Sequence, residues 1–142
     1  MSISATEIVE RLKLAPHPEG GWYRETWRAN APSDSRASGT AIYFLLSKDQ
    51  RSHWHKVDAT EIWLYHAGAP LRLELSQDAK TIEAVTLGAD FVAGEQPQMV
   101  VPPDCWQAAQ TLGDWTLVSC TVSPGFEFEG FDLAAPGWSP GA

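Results

Sequence analysis

The chain is poor in cysteine, with only Cys105 and Cys120 among 142 residues. Two thiols cannot make a disulfide framework, and one of them lies in a strand-like apolar run, where cysteine behaves as a small buried hydrophobe. A single Cys105–Cys120 bridge remains open. No apolar run reaches the length of about eighteen residues that a membrane-spanning helix needs. The opening Met1-Ser2-Ile3-Ser4 lacks a basic segment followed by an apolar one, so a secretory signal is not expected. Together with the scarce cysteines, this points to the cytoplasm. Positive charge is also scarce: 10 Lys and Arg stand against 18 Asp and Glu, for a net charge of −8. A nucleic-acid partner would require a basic face to neutralise phosphates, and an anionic membrane surface would require the same, so neither is expected as a partner. The acidic excess reads as solubility. No repeat, low-complexity block or linker interrupts the chain, which is read as one domain over 1–142.

Helical patterning is nearly absent too. It occurs once, over 4–14, where Ser4-Ala5-Thr6-Glu7 forms a capping box and Ile8, Val9 and Leu12 make an apolar stripe. Pro16 and Pro18 are expected to end it. What remains is a succession of short strand-like runs at 22–28, 40–46, 53–57, 61–66, 71–75, 81–87, 98–101, 106–110 and 115–122, separated by Gly, Pro and Asp. The run 40–46 is apolar almost throughout, which suits a strand buried on both faces. On 22–28, alternation puts Tyr23, Glu25 and Trp27 on one face and Trp22, Arg24, Thr26 and Arg28 on the other. Pro18-Glu19-Gly20-Gly21 reads as a tight turn, with His17 in the turn or at a pocket mouth. Phe126 to Phe131 alternates apolar and acidic residues, which fits an edge strand or an extended segment packing its Phe face on the barrel. Seven tryptophans either fill a barrel or line a pocket. The fold class is therefore all-β, a sandwich or barrel with one N-terminal helix; the barrel covers 20–133 and a loose tail 134–142.

The chemistry concentrates in Ser52-His53-Trp54-His55, followed after five residues by Glu61. Side chains two apart on a strand share a face, so His53 and His55 are expected to point together, with Glu61 returning beside them across a short turn. Two imidazoles and a carboxylate support two chemistries. They can bind a divalent transition metal, or they can move protons, with His55 as base and Glu61 holding its tautomer. In the second case Tyr43 or Tyr65 could be the opposing acid; either could equally be a core ring. Arg24 or Arg28 could hold an anionic substrate beside Glu25, or form a surface ion pair. Trp63 and Trp106 could wall a sugar or base ring, or pack in the core.

The same residues resemble the first motif of the cupin superfamily, G-x5-H-x-H-x3–4-E-x6-G. Here Ser47 stands at the opening glycine, Glu61 comes one residue late, and Gly68 closes the pattern. The second motif is followed from Pro102 onward, with Asp104 at its glycine, Gln107 at its histidine and Thr111 at its asparagine. Pro16-His17-Pro18-Glu19-Gly20-Gly21-Trp22-Tyr23, Glu61-Ile62-Trp63, Val100-Val101-Pro102 and Val122-Ser123-Pro124-Gly125-Phe126 resemble, in order, the signatures of a cupin family of unknown function, cupin-5. This resemblance implies a jelly-roll barrel (a double-stranded β-helix), a homodimer, and similarity to metal-independent sugar-nucleotide 3,5-epimerases. It makes His53, His55, Glu61 and Gln107 the candidate metal set, weakened at Gln107 because a neutral amide binds such ions less well than imidazole. The leading expectation is a small polar substrate, a sugar or sugar nucleotide, handled by an epimerase or isomerase. The alternatives are a metal-dependent oxygenase or decarboxylase, and a non-enzymatic binding module.

Overall fold

A computed structural model describes residues 2–142. Helix α1 (Ala5–Leu12) starts where the capping box places it: the Ser4 hydroxyl accepts from the Glu7 N–H at 3.1 Å, and the Glu7 carboxylate accepts from the Ser4 N–H at 3.4 Å. It ends sooner than the prolines would require. Lys13 takes a left-handed conformation (φ 56°, ψ 50°), and its N–H reaches back to the Glu10 carbonyl, so the stop is a left-handed C-cap. The chain then opens directly into β1 (Ala15–Pro16).

Ten further strands follow: β2 (Trp22–Arg28), β3 (Thr40–Ser47), β4 (Ser52–Val57), β5 (Thr60–Gly68), β6 (Leu71–Ser76), β7 (Glu83–Leu87), β8 (Gln98–Val101), β9 (Trp106–Thr111), β10 (Trp115–Ser123) and β11 (Phe131–Leu133). They form two antiparallel sheets, in the orders β1-β2-β3-β10-β5-β8 and β11-β4-β9-β6-β7. The architecture is an all-β jelly-roll with one short helix. Its core fills the space between the sheets, with Phe44, Leu46, Trp63, Leu73, Val101 and Val118 in contact. Each such side chain contributes about 1.5–3 kcal/mol through removal from water. Strand β3 is apolar throughout for the reason its sequence suggests. Phe44 and Leu46 face the barrel, while Leu45 and Tyr43 face outward under Ile8 and Leu14. Among the described residues no helix is long and apolar enough to cross a membrane, and both cysteines are free and buried.

Two irregularities decide what faces the interior. Against β3, the register of β2 slips between Glu25 and Trp27. This bulge undoes the simple alternation: Arg28 swings to the side of Glu25, and Trp27 is left 54% exposed. Against β9, the register of β4 slips between Ser52 and His55, which frees the end of that strand to pair elsewhere.

The tail 134–142 is fastened, contrary to the expectation that it hangs loose. The Ala134 N–H donates to Trp54 O at 3.0 Å and the Gly141 N–H to Ala79 O at 2.9 Å. Trp138 packs edge-on to Trp54 and against Trp106, with ring centres 6.3 and 4.7 Å apart.

Candidate active site

A cavity of about 290 Å³ lies inside the barrel. Strands from both sheets line it, and the segment carrying Phe126, Phe128 and Phe131 covers one side. That segment is tied down by main-chain contacts. Arg36 donates from Nε to Gly125 O at 2.7 Å, the Asp58 N–H donates to Gly130 O at 3.1 Å, and Arg36 pairs with Asp58 at 2.7 Å.

Glu61, near the start of β5, forms the best-secured part of the floor. The Trp63 indole N–H donates to Gln107 Oε1 at 2.7 Å, and Gln107 Nε2 donates to Glu61 Oε1 at 2.9 Å. Because an indole nitrogen only donates, it fixes which way the Gln107 amide faces. Burial pushes the Glu61 carboxyl up to about 7, opposed by His55 and assisted by Glu19.

His55 is 2% exposed. Its Nδ1 lies 2.7 Å from the carbonyl oxygen of His53. A carbonyl can only accept, so Nδ1 carries the proton and Nε2 keeps its lone pair. Burial lowers the ring's affinity for a second proton, Glu61 partly opposing, which leaves a neutral imidazole at neutral pH. The Nε2 faces Glu19 Oε1 across 3.6 Å, beyond hydrogen-bond length.

Glu19 reaches this position through the turn after β1. The Gly20 N–H donates to His17 O at 3.0 Å and the His17 N–H to Gly21 O at 2.9 Å, with Gly20 at φ 110°. A Cβ on Gly20 would collide with the Arg51 carbonyl, so only glycine lets the turn lie this close to the end of β4. In that position Glu19 O accepts the His53 N–H at 2.8 Å. The bond takes the place of a ladder bond to β9 and accounts for the β4 bulge. Ser52 and His55, three apart, thereby both face Glu19, and the Ser52 hydroxyl donates to Glu19 Oε2. Burial pushes the Glu19 carboxyl up to about 8, Ser52 opposing. His17 lies 3.4 Å from Glu19 through Nδ1, which also accepts the Glu19 N–H at 3.1 Å, so its proton sits on Nε2. Burial first, then His55, lowers it to about 4. Burial thus favours the neutral form of each of these groups, pushing both carboxyls up and both imidazoles down.

The structure brings together His55, Glu61 and Gln107, and it places Glu25 and Arg28 on the cavity wall as a pair 2.6 Å apart. It does not bring the other candidates there. His53 turns outward, its Nε2 2.9 Å from Ala135 O; the bulge cancels the i, i+2 relation with His55. Arg24 stacks over Tyr43 at 5.5 Å, away from the cavity, and Tyr43 packs on the helix side. The Tyr65 hydroxyl donates to Gly68 O at 2.5 Å. Trp63 lies in the core, and Trp106 lies under the tail with Lys56 4.9 Å from its ring. The metal set of His53, His55, Glu61 and Gln107 therefore does not converge, and the Gln107 oxygen is already occupied by Trp63. Among the described residues no three His, Cys, Asp or Glu side chains are placed to hold a metal ion. The residues present do not fit the divalent ion implied by the motif. Conversely, Glu19 lines the cavity without having been a candidate, His17 lines it where the turn or a pocket mouth was expected, and Ser52 holds Glu19 through its hydroxyl. The signal for them is the Gly20-Gly21 pair, because adjacent glycines after His-Pro-Glu mark a backbone that must approach another closely.

Comparisons with known proteins agree with the fold. Residues 6–134 match the family model Cupin_5, described as cupin superfamily (DUF985). A protein of Saccharomyces cerevisiae, uncharacterized YML079W, is 26% identical over 89% of this chain and 73% of its own length. Protein SO0799 of Shewanella oneidensis is 38% identical with a TM-score of 0.89, covering 94% of this chain and 86% of that one. A hypothetical protein from Leishmania major is 33% identical with a TM-score of 0.86, covering 94% and 88%. Oxalate decarboxylase from Bacillus subtilis shares the fold at a TM-score of 0.64 and 13% identity, over 83% of this chain and 29% of that one.

Proposed function

Because the chain belongs to the Cupin_5 family of the cupin superfamily, a family of unknown function, its activity has to be read from its own cavity, and we propose metal-independent proton transfer on a small polar molecule, of the isomerase or epimerase kind. One observation carries this reading: the Nε2 lone pair of His55 lies 3.6 Å from the buried carboxyl of Glu19, which burial pushes towards its protonated form. A neutral base beside a neutral acid is the pairing that abstracts a proton next to a carbonyl while stabilising the oxygen that becomes charged.

The step balances without a co-reactant. His55 Nε2 takes the proton from the carbon next to the carbonyl, and the C–H electron pair forms the C=C bond of an enediol. The carbonyl oxygen receives the Glu19 proton. Return of a proton to either carbon, and of the hydroxyl proton to Glu19, regenerates both groups. Glu61, fixed by Gln107, is placed to stabilise the imidazolium that forms on His55. Tyr23 supplies a phenol on the cavity wall, a position that neither Tyr43 nor Tyr65 occupies.

The test is proton exchange in D2O, followed by NMR over a panel of keto- and aldo-sugars. Deuterium should enter next to the carbonyl of at least one sugar, and His55→Ala should abolish the exchange. No incorporation with any sugar, or incorporation that survives His55→Ala, counts against the reading. Ligand-induced stabilisation without exchange would instead favour a non-enzymatic binding module.

A further inference from the structure

The wall of the same cavity constrains the charge of its ligand. Arg28 is its one arginine or lysine, and its charge is already paired with Glu25. Its Nε donates to Glu25 Oε2 at 3.2 Å, and its NH2 group donates to Glu25 Oε1 at 2.6 Å and to Phe126 O at 2.9 Å. The covering segment adds Glu127 and Glu129 to the lining. Among the described residues neither forms an ion pair, since every salt bridge involves other carboxylates. Between these acids stand three phenylalanines packed edge to face: Phe126–Phe128, Phe126–Phe131 and Phe128–Phe131 have ring centres 5.0, 5.7 and 6.0 Å apart. At the deep end His55 Nε2, on a side chain only 2% exposed, accepts no hydrogen bond from the protein.

A phosphate entering this space would find one cation, already neutralised by Glu25, and would face Glu127 and Glu129 besides. A sugar nucleotide therefore does not suit it. Unpaired carboxylates beside aromatic faces are instead what recognises an organic cation, through ion pairing and cation–π attraction. We infer that the ligand is a small organic ammonium ion, its charged nitrogen held at the Glu127, Glu129 and Phe126–Phe131 wall and its polar end directed at His55. The cavity volume lies at the low end for ligand pockets, which suits a molecule of choline or amino-sugar size. The inference deepens the proton-transfer reading by naming the substrate class and rests on it for the location of the site.

The test compares choline, its uncharged isostere 3,3-dimethyl-1-butanol, glucosamine and glucose 6-phosphate by calorimetric titration of the full chain. Choline or glucosamine should bind at least about tenfold more tightly than the uncharged isostere, and the preference should weaken as salt rises. The Glu127→Gln/Glu129→Gln double variant should lose about tenfold in ammonium affinity while its melting temperature stays unchanged. If that variant unfolds, the salt dependence measured on the unaltered protein decides alone. Equal binding of the uncharged isostere overturns the inference. So does tighter binding of glucose 6-phosphate, or no binding of either ammonium compound at about 10 mM. Ammonium binding without proton exchange sinks only the catalytic reading; exchange on a neutral sugar without ammonium binding sinks only this one.

Discussion

Replacing Glu19 by glutamine isolates the ionisation of the buried carboxyl. In the folded chain burial raises Glu19 from 4.5 to about 8. The sign follows from which state holds the proton. Unfolded, the group gives up its proton near 4.5; folded, it keeps it until about 8. Its contribution to stability is therefore complete below pH 4.5 and is lost as pH rises through about 8. About two pH units of that interval lie above pH 6, and at about 1.4 kcal/mol per unit the protein should lose about 3 kcal/mol from this group between about pH 6 and pH 9. The amide of Glu19→Gln imitates the protonated acid: its oxygen can still accept from Ser52 and its nitrogen can donate towards His55. The variant should match the unaltered protein below about pH 4.5, and its advantage should widen by about 3 kcal/mol between pH 6 and pH 9. Urea unfolding at the two pH values measures this. Parallel losses, with a difference that stays within about 0.5 kcal/mol, would refute a raised Glu19 and with it the acid half of the proposed mechanism.

Other substitutions separate the remaining elements. Gln107→Leu strands the Trp63 N–H and one side of Glu61, so denaturation should show a loss of about 2–4 kcal/mol, and NMR titration should find Glu61 higher still. Gly20→Ala places a Cβ against Arg51 O on a left-handed backbone; a fall in melting temperature matching about 2 kcal/mol or more, with exchange activity lost, is expected. His53→Ala should leave exchange near normal, because that ring points to Ala135; a loss as severe as that from His55→Ala would show that the outward placement is wrong. Trp138→Ala removes a half-buried ring from Trp54 and Trp106, so the tail should become sensitive to protease and stability should fall by about 2 kcal/mol.

The barrel was legible because its signals are local. Alternating strands, turn residues and the capping box each act over a few neighbours, and the double burial of 40–46 shows directly in its composition. Glu61 and Gln107 were legible through motif spacing. The rest of the site was not, because contacts between distant segments create it. Whether His53 faces in or out depends on a carbonyl far earlier in the chain, at Glu19, capturing its N–H. Arg28 enters the cavity because of a bulge that the residues of 22–28 do not announce. His17 and Glu19 look like punctuation between helix and strand until the turn is laid against β4. Even the helix end shows the limit: the prolines were a sufficient stop, but Lys13 used a nearer one.

The position of β10 bears on how the molecule assembles. It lies between β3 and β5, pairing with eight residues of each, yet it follows both in the chain. Until residues 115–123 are available, β2–β3 and β5–β8 are separate strand pairs with their central edges open, and the helix has only half a sheet to cover. Closure then requires several distant pairings to form together, which makes the barrel a slow folder and exposes two apolar edges to other chains while it waits. During synthesis, closure of this sheet should accordingly wait for the arrival of β10.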